Sequence, residues 1–448
     1  MLIRFNVSNF LSFNELTEFN LLTGDFRRFD NHVYNFKNKL DLLKISAIYG
    51  ANASGKSNLI LAIDYLKNCL KKGEVIKFEE SSFKGNKKKP STFEIEFLTK
   101  GKAYIYGIKV YRGDIINEYL YYSGLGKMDK LIFDREVSKS GKSKISVESK
   151  LLKSEKSKIL KDHYTTKTES NQLFLDEVAD IGIDNLSKEC SVVTDFLWSI
   201  QIIFPDSKPR YLISELINVP EFMKFTRDML CAFDTGIKDI HIKTFDLHHY
   251  LGEDDIELSR DIIDQLDDND NADLGLSMDT IATKENEKYL IKKIFIEHNG
   301  FGIDNLFSLN EESDGTIRLI EFMSMLFTLI VPEDNDSVFI IDEIGRSIHP
   351  SLLKKFLTKL SDQDNIKGQL IFTTHEANLL DLKMLRPDEI WFAEKDRSNG
   401  NTAFKTLAEY KKIRNDLNIR KGYLEGRFGG IPILANFEDL NWNEYAAN

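Results

Sequence analysis

The sequence has few cysteines, few prolines and no long apolar run. It contains three cysteines and eight prolines in 448 residues. Cys69, Cys190 and Cys231 stand far apart, in no spacing typical of a zinc site or a disulfide framework. We therefore expect a reducing, cytoplasmic setting. No apolar run approaches the length of a membrane span, and the segment that begins at Met1 lacks the apolar core of a signal peptide, so no membrane partner is expected.

Excess positive charge is also lacking, since the net charge is −11 and the isoelectric point is near 5.4. This balance argues against a surface built for nonspecific nucleic-acid binding, although two lysine-rich segments occur at 71–90 and 138–167. We favour solvated surfaces for both segments and keep nucleic acid as an alternative partner. The length fits two or three domains, or one large α/β domain with an insertion.

One stretch near the N-terminus has the pattern of a phosphate-binding loop. An apolar, strand-like run over 45–49 precedes G-x-x-x-x-G-K-S, and a segment with helical apolar spacing follows. Strand, glycine-containing loop and helix in this order are the context that a P-loop requires. A chance glycine turn before a helix is the alternative, and the two flanks argue against it. The predicted binding residues are Gly50, Ala51, Asn52, Ala53, Ser54, Gly55, Lys56, Ser57 and Asn58.

The chemistry of phosphate binding explains the residue type at each key position of this loop. Gly50 and Gly55 allow the backbone to curl, so that successive N–H groups point at phosphate oxygens. The next helix adds the positive end of its dipole. Lys56 is expected to reach the β- and γ-phosphates, and the Ser57 hydroxyl to ligate Mg²⁺. The sequence thus predicts a site for the phosphates of a nucleotide and for Mg²⁺.

A second chemical signal follows a continuous apolar run in the C-terminal half. Residues 337–341 favour a strand buried on both faces of a parallel sheet, and Asp342 and Glu343 come directly after it. Ligands gather at the carboxyl ends of such strands. Asp342 is predicted to hold Mg²⁺, and Glu343 to deprotonate the attacking water. A buried strand that merely ends in an acidic turn is the alternative.

Two further segments belong to this set. Ser313-Asp314-Gly315-Thr316 precedes a long apolar helix, which is anion-binding geometry. His375 ends another apolar strand, so we predict that it contacts the γ-phosphate, although a lone histidine is more often structural. A tight glycine loop at 426–432 is interpreted first as a structural turn.

The pattern of elements predicts four parts. Residues 1–136 form an N-terminal lobe with the P-loop, a loop at 24–41 and an antiparallel meander at 92–136. Residues 137–290 form a largely helical insertion or lid. Residues 291–400 form a C-terminal lobe, and 401–448 a C-terminal extension.

The order of these motifs resembles the head of ABC-type ATPases of the SMC-like and OLD-like kind. By this resemblance, 50–57 is Walker A, 338–343 is Walker B, 313–316 is the signature loop, 347–350 is the D-loop and His375 is the H-loop. The implied fold is α/β: an ABC-ATPase head, which is a P-loop NTPase with a mixed sheet and an antiparallel meander. The implied activity is Mg²⁺-dependent ATP hydrolysis.

The chain departs from that family at three points. The signature loop keeps Ser313 and Gly315 but lacks the full Leu-Ser-Gly-Gly-Gln form. Gln172 is a weak candidate for the Q-loop. Leu11 replaces the basic residue that often lies against adenine, so phosphate binding is better supported than base selectivity.

In such heads two subunits sandwich two ATP molecules, and the signature loop acts in trans. The resemblance therefore implies an ATP-dependent homodimer or larger oligomer, with Ser313 and Gly315 completing the partner's site. A closer resemblance is to stand-alone ATPases of bacterial anti-phage and abortive-infection systems, such as the RloA-like group. It rests on five segments: Asn9–Phe13, Gly50–Asn58, Glu312–Thr316, Ile348–Pro350 and the 426–432 loop. It implies a switch that senses infection and controls a separately encoded effector, often a nuclease.

Two other functions stay open on the sequence. One is a DNA-binding, SMC- or OLD-like ATPase of repair or chromosome maintenance, supported by the lysine-rich segments alone. The other is a scaffold that binds ATP and rarely hydrolyses it. The stretch after His375 is too short for a nuclease domain, so we expect any nuclease to be a separate chain.

Overall fold

The computed structural model describes the chain except for 77–80, 139, 208–211, 234, 253–254, 269–272, 278, 331–336, 365, 367, 411–417 and 432–448. The chain divides into two compact units. Unit 1 comprises Met1–Ile203, Asp334–Ile344 and Ser361–Asn448, and unit 2 comprises Phe204–Glu333 and Gly345–Leu360. No described helix is both long and apolar enough to cross a bilayer.

Twenty strands occur among the described residues. They are β1 (Leu2–Ser8), β2 (Thr17–Asn20), β3 (Val33–Phe36), β4 (Leu40–Leu43), β5 (Ile45–Tyr49), β6 (Ser91–Thr99), β7 (Lys102–Tyr111), β8 (Asp114–Tyr122), β9 (Lys130–Val137), β10 (Ser143–Val147), β11 (Gln201–Ile203), β12 (Ile237–Asp246), β13 (Asp273–Gly275), β14 (Thr280–Glu285), β15 (Lys288–His298), β16 (Phe307–Ser308), β17 (Val338–Ile341), β18 (Gln369–Thr374), β19 (Ile390–Lys395) and β20 (Thr402–Thr406).

Eleven α-helices occur in the same described ranges. They are α1 (Lys56–Lys72), α2 (Glu155–Lys167), α3 (Phe174–Ala179), α4 (Asp184–Ser199), α5 (Leu212–Asn218), α6 (Pro220–Ala232), α7 (Leu247–Leu251), α8 (Ile256–Asp268), α9 (Asp314–Ile330), α10 (Pro350–Ser361) and α11 (Ile419–Leu424).

The centre of unit 1 is a six-stranded mixed sheet in the order β11-β17-β18-β5-β19-β20. All neighbouring pairs are parallel except β19 and β20. All residues of β5, β17 and β18 are buried, as expected for strands covered on both faces. The predicted strands before Gly50, Asp342 and His375 are therefore confirmed, and their carboxyl ends lie at one edge.

A second, antiparallel sheet of unit 1 has the order β10-β9-β8-β7-β6-β1-β2. It contains the meander predicted at 92–136. The loop predicted at 24–41 was wrong in its second half, because β3 and β4 pair there as a hairpin. Phe36 and Leu42 of this hairpin are buried with Met1 and Ile3, so apolar contacts order a stretch whose polar composition favoured a loop.

The 137–290 region is helical only in part. Helices α2 to α8 lie within it, but β12, β14 and β15 form an antiparallel sheet of unit 2 with the short strands β13 and β16. The predicted four-part division also differs from the two compact units. Residues 137–203 group with unit 1, where Phe196 of α4 stacks on Phe97 of β6 at 4.3 Å between ring centroids.

A buried amide links β18 to the N-terminal strands. Gln369 is fully buried. Its Oε1 accepts from the Leu2 N–H at 2.6 Å, and its Nε2 donates to the carbonyls of Leu2 and Leu43 at 3.0 and 2.9 Å. One side chain thus satisfies three backbone groups where β1 and β4 meet the central sheet.

We predict that Gln369→Leu lowers the free energy of unfolding by about 2–3 kcal/mol, because a buried backbone group without a partner costs roughly 1–3 kcal/mol. Urea unfolding monitored by circular dichroism measures this. Gln201→Leu, at an exposed position of the same sheet, is the matched control and should change stability by less than about 0.5 kcal/mol. Equal effects of the two substitutions would contradict the prediction.

Candidate nucleotide-binding site

The phosphate-binding loop joins β5 to α1 as predicted. Gly55 has φ +102° and ends the loop directly before Lys56, the first residue of α1. Ala53 also lies in the left-handed region, with φ +62°. These values show a tightly curled backbone, as a loop that turns its N–H groups inward requires.

Neither glycine of the motif has room for a side chain. A Cβ on Gly55 would lie 2.4 Å from Thr402 Oγ1 and 2.8 Å from Ser12 Oγ. A Cβ on Gly50 would lie 2.7 Å from the Ala393 carbonyl oxygen. Close packing thus requires both glycines, and the left-handed backbone of Gly55 is a second reason for glycine there.

Lys56 lies against its own loop. Its Nζ donates to the carbonyls of Gly50 at 2.7 Å and Ala51 at 3.0 Å. Burial lowers the pKa of Lys56, and the carboxylates of Asp342 and Glu343 oppose that shift. The ammonium group therefore lies in the field of both predicted Walker B carboxylates. Phosphates binding in the loop would replace the two carbonyls as its partners.

Asp342 follows β17 and is buried. Thr373 of β18 donates its hydroxyl to Asp342 Oδ1 at 2.5 Å, and the backbone N–H of Asp342 donates to the Ile203 carbonyl at 2.9 Å. These contacts hold one carboxylate oxygen and leave Oδ2 with no hydrogen-bond partner among the described residues. A carboxylate oriented in this way suits a magnesium ligand.

Glu343 is held in a strained conformation. Its φ is +52°, which costs a non-glycine residue about 1–3 kcal/mol. Its N–H donates to Thr373 Oγ1 at 2.8 Å, and the next N–H, of Ile344, donates to the Thr373 carbonyl at 3.1 Å. Thr373 thus orients both acidic residues. Sequence reasoning missed Thr373, because a threonine inside a buried strand looks like an ordinary β-forming residue.

Three other predicted residues lie at the same sheet edge. Ser57 is in the first turn of α1 and half-buried, and His375 is exposed directly after β18. Asn58 donates its side-chain amide to Ser12 Oγ at 2.8 Å, so this group is already engaged within the protein. Ser57 and Asp342 could offer two oxygen ligands to the predicted Mg²⁺, which needs few protein ligands because phosphates and waters complete its shell. No cluster of three metal-ligating side chains was found in the described residues.

The predicted signature loop lies in unit 2, at the start of α9. Ser313 Oγ accepts from the Thr316 N–H at 3.2 Å, and so caps the helix. A Cβ on Gly315 would lie 2.5 Å from the Ser347 carbonyl oxygen. Ser347, the first residue of the predicted D-loop, has φ +63°. The two short motifs therefore pack against each other within unit 2.

Gln172 is engaged in a local turn. Its Oε1 accepts from the Glu169 N–H at 2.8 Å, while its carbonyl accepts from the buried Arg135 guanidinium at 2.5 Å. Arg135 also pairs with the buried Glu118 at 3.3 Å. This network fixes the segment before α3, and the Q-loop assignment of Gln172 stays a prediction.

The glycine loop at 426–431 packs against Walker A, and Pro432 lies outside the described residues. A Cβ on Gly430, whose φ is +67°, would lie 3.4 Å from Gly50 Cα. Tyr423 donates its hydroxyl to the Gly430 carbonyl at 3.1 Å, and Tyr410 to that of Phe428 at 2.8 Å. The segment interpreted from sequence as a turn therefore also borders the nucleotide site.

A cavity of about 810 Å³ lies beside the phosphate-binding loop. Residues 51–54, the β19–β20 hairpin and the 426–431 loop line it, whereas Lys56, Ser57 and Asp342 do not. Its volume lies in the range of small-molecule pockets. Phosphate binding is therefore assigned to the curled loop together with Lys56, Ser57 and Asp342, and not to this cavity.

The lysine-rich segment at 138–167 contains α2. Three of its lysines form ion pairs nearby: Lys158 with Glu155 at 3.3 Å, Lys161 with Asp162 at 2.8 Å, and Lys167 with Glu177 at 3.9 Å. These pairs are consistent with a solvated surface.

Comparison with solved structures finds heads of SMC proteins. The SMC head domain from Thermotoga maritima is 13% identical, with a TM-score of 0.37 over 90% of this chain and 98% of that one. An SMC head bound to the C-terminal winged-helix domain of ScpA is 14% identical, with a TM-score of 0.42 over 92% and 99%. An SMC head with an extended coiled coil, bound to the C-terminal domain of ScpA, derives from Pyrococcus furiosus; it is 13% identical, with a TM-score of 0.40 over 95% and 98%.

No curated protein sequence matches the chain significantly. One protein-family model matches residues 45–221 and 191–381, which together span about three quarters of the chain and include every motif from Walker A to His375. The fold is α/β, with the G-x-x-x-x-G-K-S loop placed between β5 and α1 as in a P-loop. The chain belongs to the family described as "AAA domain, putative AbiEii toxin, Type IV TA system".

Proposed function

We propose that this protein is a Mg²⁺-dependent ATPase that works as a dimerising switch and controls a separately encoded effector in bacterial anti-phage defence. The observation that carries the ATPase proposal is the meeting of Walker A, Asp342 and Glu343 at one sheet edge, where the Thr373 hydroxyl bonds the Asp342 carboxylate and the Glu343 N–H. The family description, which names a toxin of a toxin–antitoxin system, supports the defence setting.

Different residues of unit 1 have different roles in the proposed hydrolysis. The loop N–H groups and Lys56 bind the phosphates, while Ser57 and Asp342 hold Mg²⁺, which supplies charge neutralisation when bound. Glu343 takes a proton from the attacking water. His375, exposed at the end of β18, contacts the γ-phosphate. Each group is supplied by a strand end or a helix start, so the buried sheet sets their positions.

The dimer proposal rests on the division of the motifs between the units. Walker A and Walker B belong to unit 1, whereas Ser313 and Gly315 belong to unit 2. We propose that these two residues act on the nucleotide of a second copy, so that ATP joins two subunits and hydrolysis releases them. The oligomeric cycle would then be the signal that an effector reads.

We predict that Glu343→Gln keeps ATP binding, stabilises the ATP-bound dimer and lowers kcat at least about 100-fold, because a general base contributes roughly 10²–10⁴ to the rate. Phosphate release and light-scattering mass with and without ATP and Mg²⁺ measure these effects. Glu425→Gln, in an exposed i,i+4 pair with Lys421, is the control. Normal turnover of Glu343→Gln would show that the base is another group.

For Thr373→Val we predict a fall in kcat of about tenfold to a hundredfold with little change in ATP affinity. The substitution removes a hydrogen bond to the Asp342 carboxylate, worth roughly 1.5–3 kcal/mol, and leaves the Glu343 N–H without its acceptor, without touching Walker A. Thr373→Ser keeps the hydroxyl and should retain most of the activity. A loss confined to ATP affinity would contradict this role.

Complementation between two inactive variants tests the dimer. Ser313→Asp keeps a capping oxygen but adds negative charge near phosphate, and Lys56→Ala disables Walker A. Mixing the two should restore part of the ATPase activity, because one site of the mixed dimer combines an intact Walker A with an intact signature loop. Ser313→Asn, a neutral cap, is the matched control. A mixture as inactive as its parts would exclude action in trans.

A further inference from the structure

The end of the phosphate-binding loop and the first turn of α1 are connected through residues that lie far away in the sequence. Ser54 precedes the second glycine, and Asn58 lies in the first turn of α1. Ser12, in the turn after β1, and Thr402, the first residue of β20, bridge them. Ser12 is 4% exposed and Thr402 is fully buried, so water does not compete for these contacts.

Thr402 Oγ1 lies between two acceptors. It is 3.0 Å from the Ser54 carbonyl oxygen, which can only accept, and 2.8 Å from Ser12 Oγ, and the geometry makes Thr402 the donor to both. Because the hydroxyl has a single proton, the two acceptors share it. Ser12 also accepts from the Asn58 amide at 2.8 Å. A network of hydrogen bonds thus joins Asn58, Ser12, Thr402 and Ser54.

This brace, defined as Asn58, Ser12, Thr402 and Ser54, encloses Gly55, Lys56 and Ser57. A second contact joins its two distant members, because the Thr402 N–H donates to the Ser12 carbonyl at 2.8 Å. Both hydroxyls lie within 2.8 Å of where a Gly55 Cβ would be. The brace thus lies directly against Gly55, the last residue of the phosphate-binding loop before α1.

The brace also sets the orientation of the Ser54–Gly55 peptide. In a trans peptide the C=O and the following N–H point opposite ways. Holding the Ser54 carbonyl toward Thr402 therefore aims the Gly55 N–H away from Thr402, and that N–H has no acceptor among the described residues. Amides of this turn are the groups that contact phosphates in a P-loop.

We propose that Thr402 is a positioning residue of the nucleotide site, whose hydroxyl holds the Ser54–Gly55 peptide in its phosphate-binding orientation. The proposal rests on the proposed ATPase function. It gives the C-terminal strand β20 a role in nucleotide binding, and it assigns Asn58 to the support of the loop through Ser12.

Calorimetric titration with Mg²⁺ and a non-hydrolysable ATP analogue tests the proposal. Thr402→Val is nearly isosteric but cannot donate, so we expect the Kd to rise about tenfold at unchanged stoichiometry, because a buried carbonyl loses its partner. Thr402→Ser should stay within about twofold of the wild type. Thr226→Val is the matched control, since Thr226 is also fully buried and its hydroxyl has no hydrogen-bond partner among the described residues.

The outcomes separate the explanations. A merely structural defect would lower the stoichiometry, as inactive molecules accumulate, and leave the Kd of the remainder unchanged; that result overturns the proposal. An unchanged Kd in Thr402→Val, with tight binding by the wild type, also overturns it and leaves the ATPase proposal intact. No binding by the wild type overturns both.

A double-mutant cycle with Ser12→Ala tests the coupling of the two hydroxyls. If Ser12 acts through its hydrogen bond with Thr402, adding Ser12→Ala to Thr402→Val should raise the Kd by less than about twofold further. Full additivity of the two effects would show that the two hydroxyls act independently, and would overturn this coupling.

Discussion

The structure depends on burying parallel strands on both faces while their carboxyl ends stay at a common edge. Apolar contacts cover β5, β17 and β18 completely, so neither face of these strands is available for chemistry. The residues that follow these strands, Gly50, Asp342 and His375, therefore lie together at that edge. Neighbouring strands lie about 4.8 Å apart, which brings Walker A and Walker B within reach of one nucleotide.

Residues at that edge have strained backbones and a buried charge, and contacts in the surrounding sheet must offset the free-energy cost of both. Glu343 and Ala53 have left-handed backbones, and Lys56 is buried with a lowered pKa. Such features persist where packing and hydrogen bonds over-determine the local geometry. Here the hydroxyl of Thr373 supports the acidic side of the site, and those of Ser12 and Thr402 lie against the phosphate-binding loop.

The motifs are divided between two compact units, and the chain passes from one to the other four times. Unit 1 contains the groups proposed to bind phosphate, hold Mg²⁺ and activate water. Unit 2 contains the signature and D-loop segments, in which Gly315 packs against the Ser347 carbonyl. In the proposed switch, the signature residues of one copy would act on the nucleotide of another and so couple nucleotide state to subunit association.

The sequence alone determined the phosphate-binding loop, the acidic strand end, the strand before His375 and the antiparallel meander, because these depend on local periodicity and on glycine, lysine and carboxylate chemistry. It did not determine the β3–β4 hairpin, the sheet of unit 2 or the unit boundaries. Those depend on apolar contacts between distant segments, such as Phe36 and Leu42 with Met1. Only the tertiary structure showed that Thr373, Ser12, Thr402 and Gly430 surround the site. Their residue types are common and their spacing carries no signal, since long-range chain packing alone brings hydroxyls almost 400 residues apart to the same glycine.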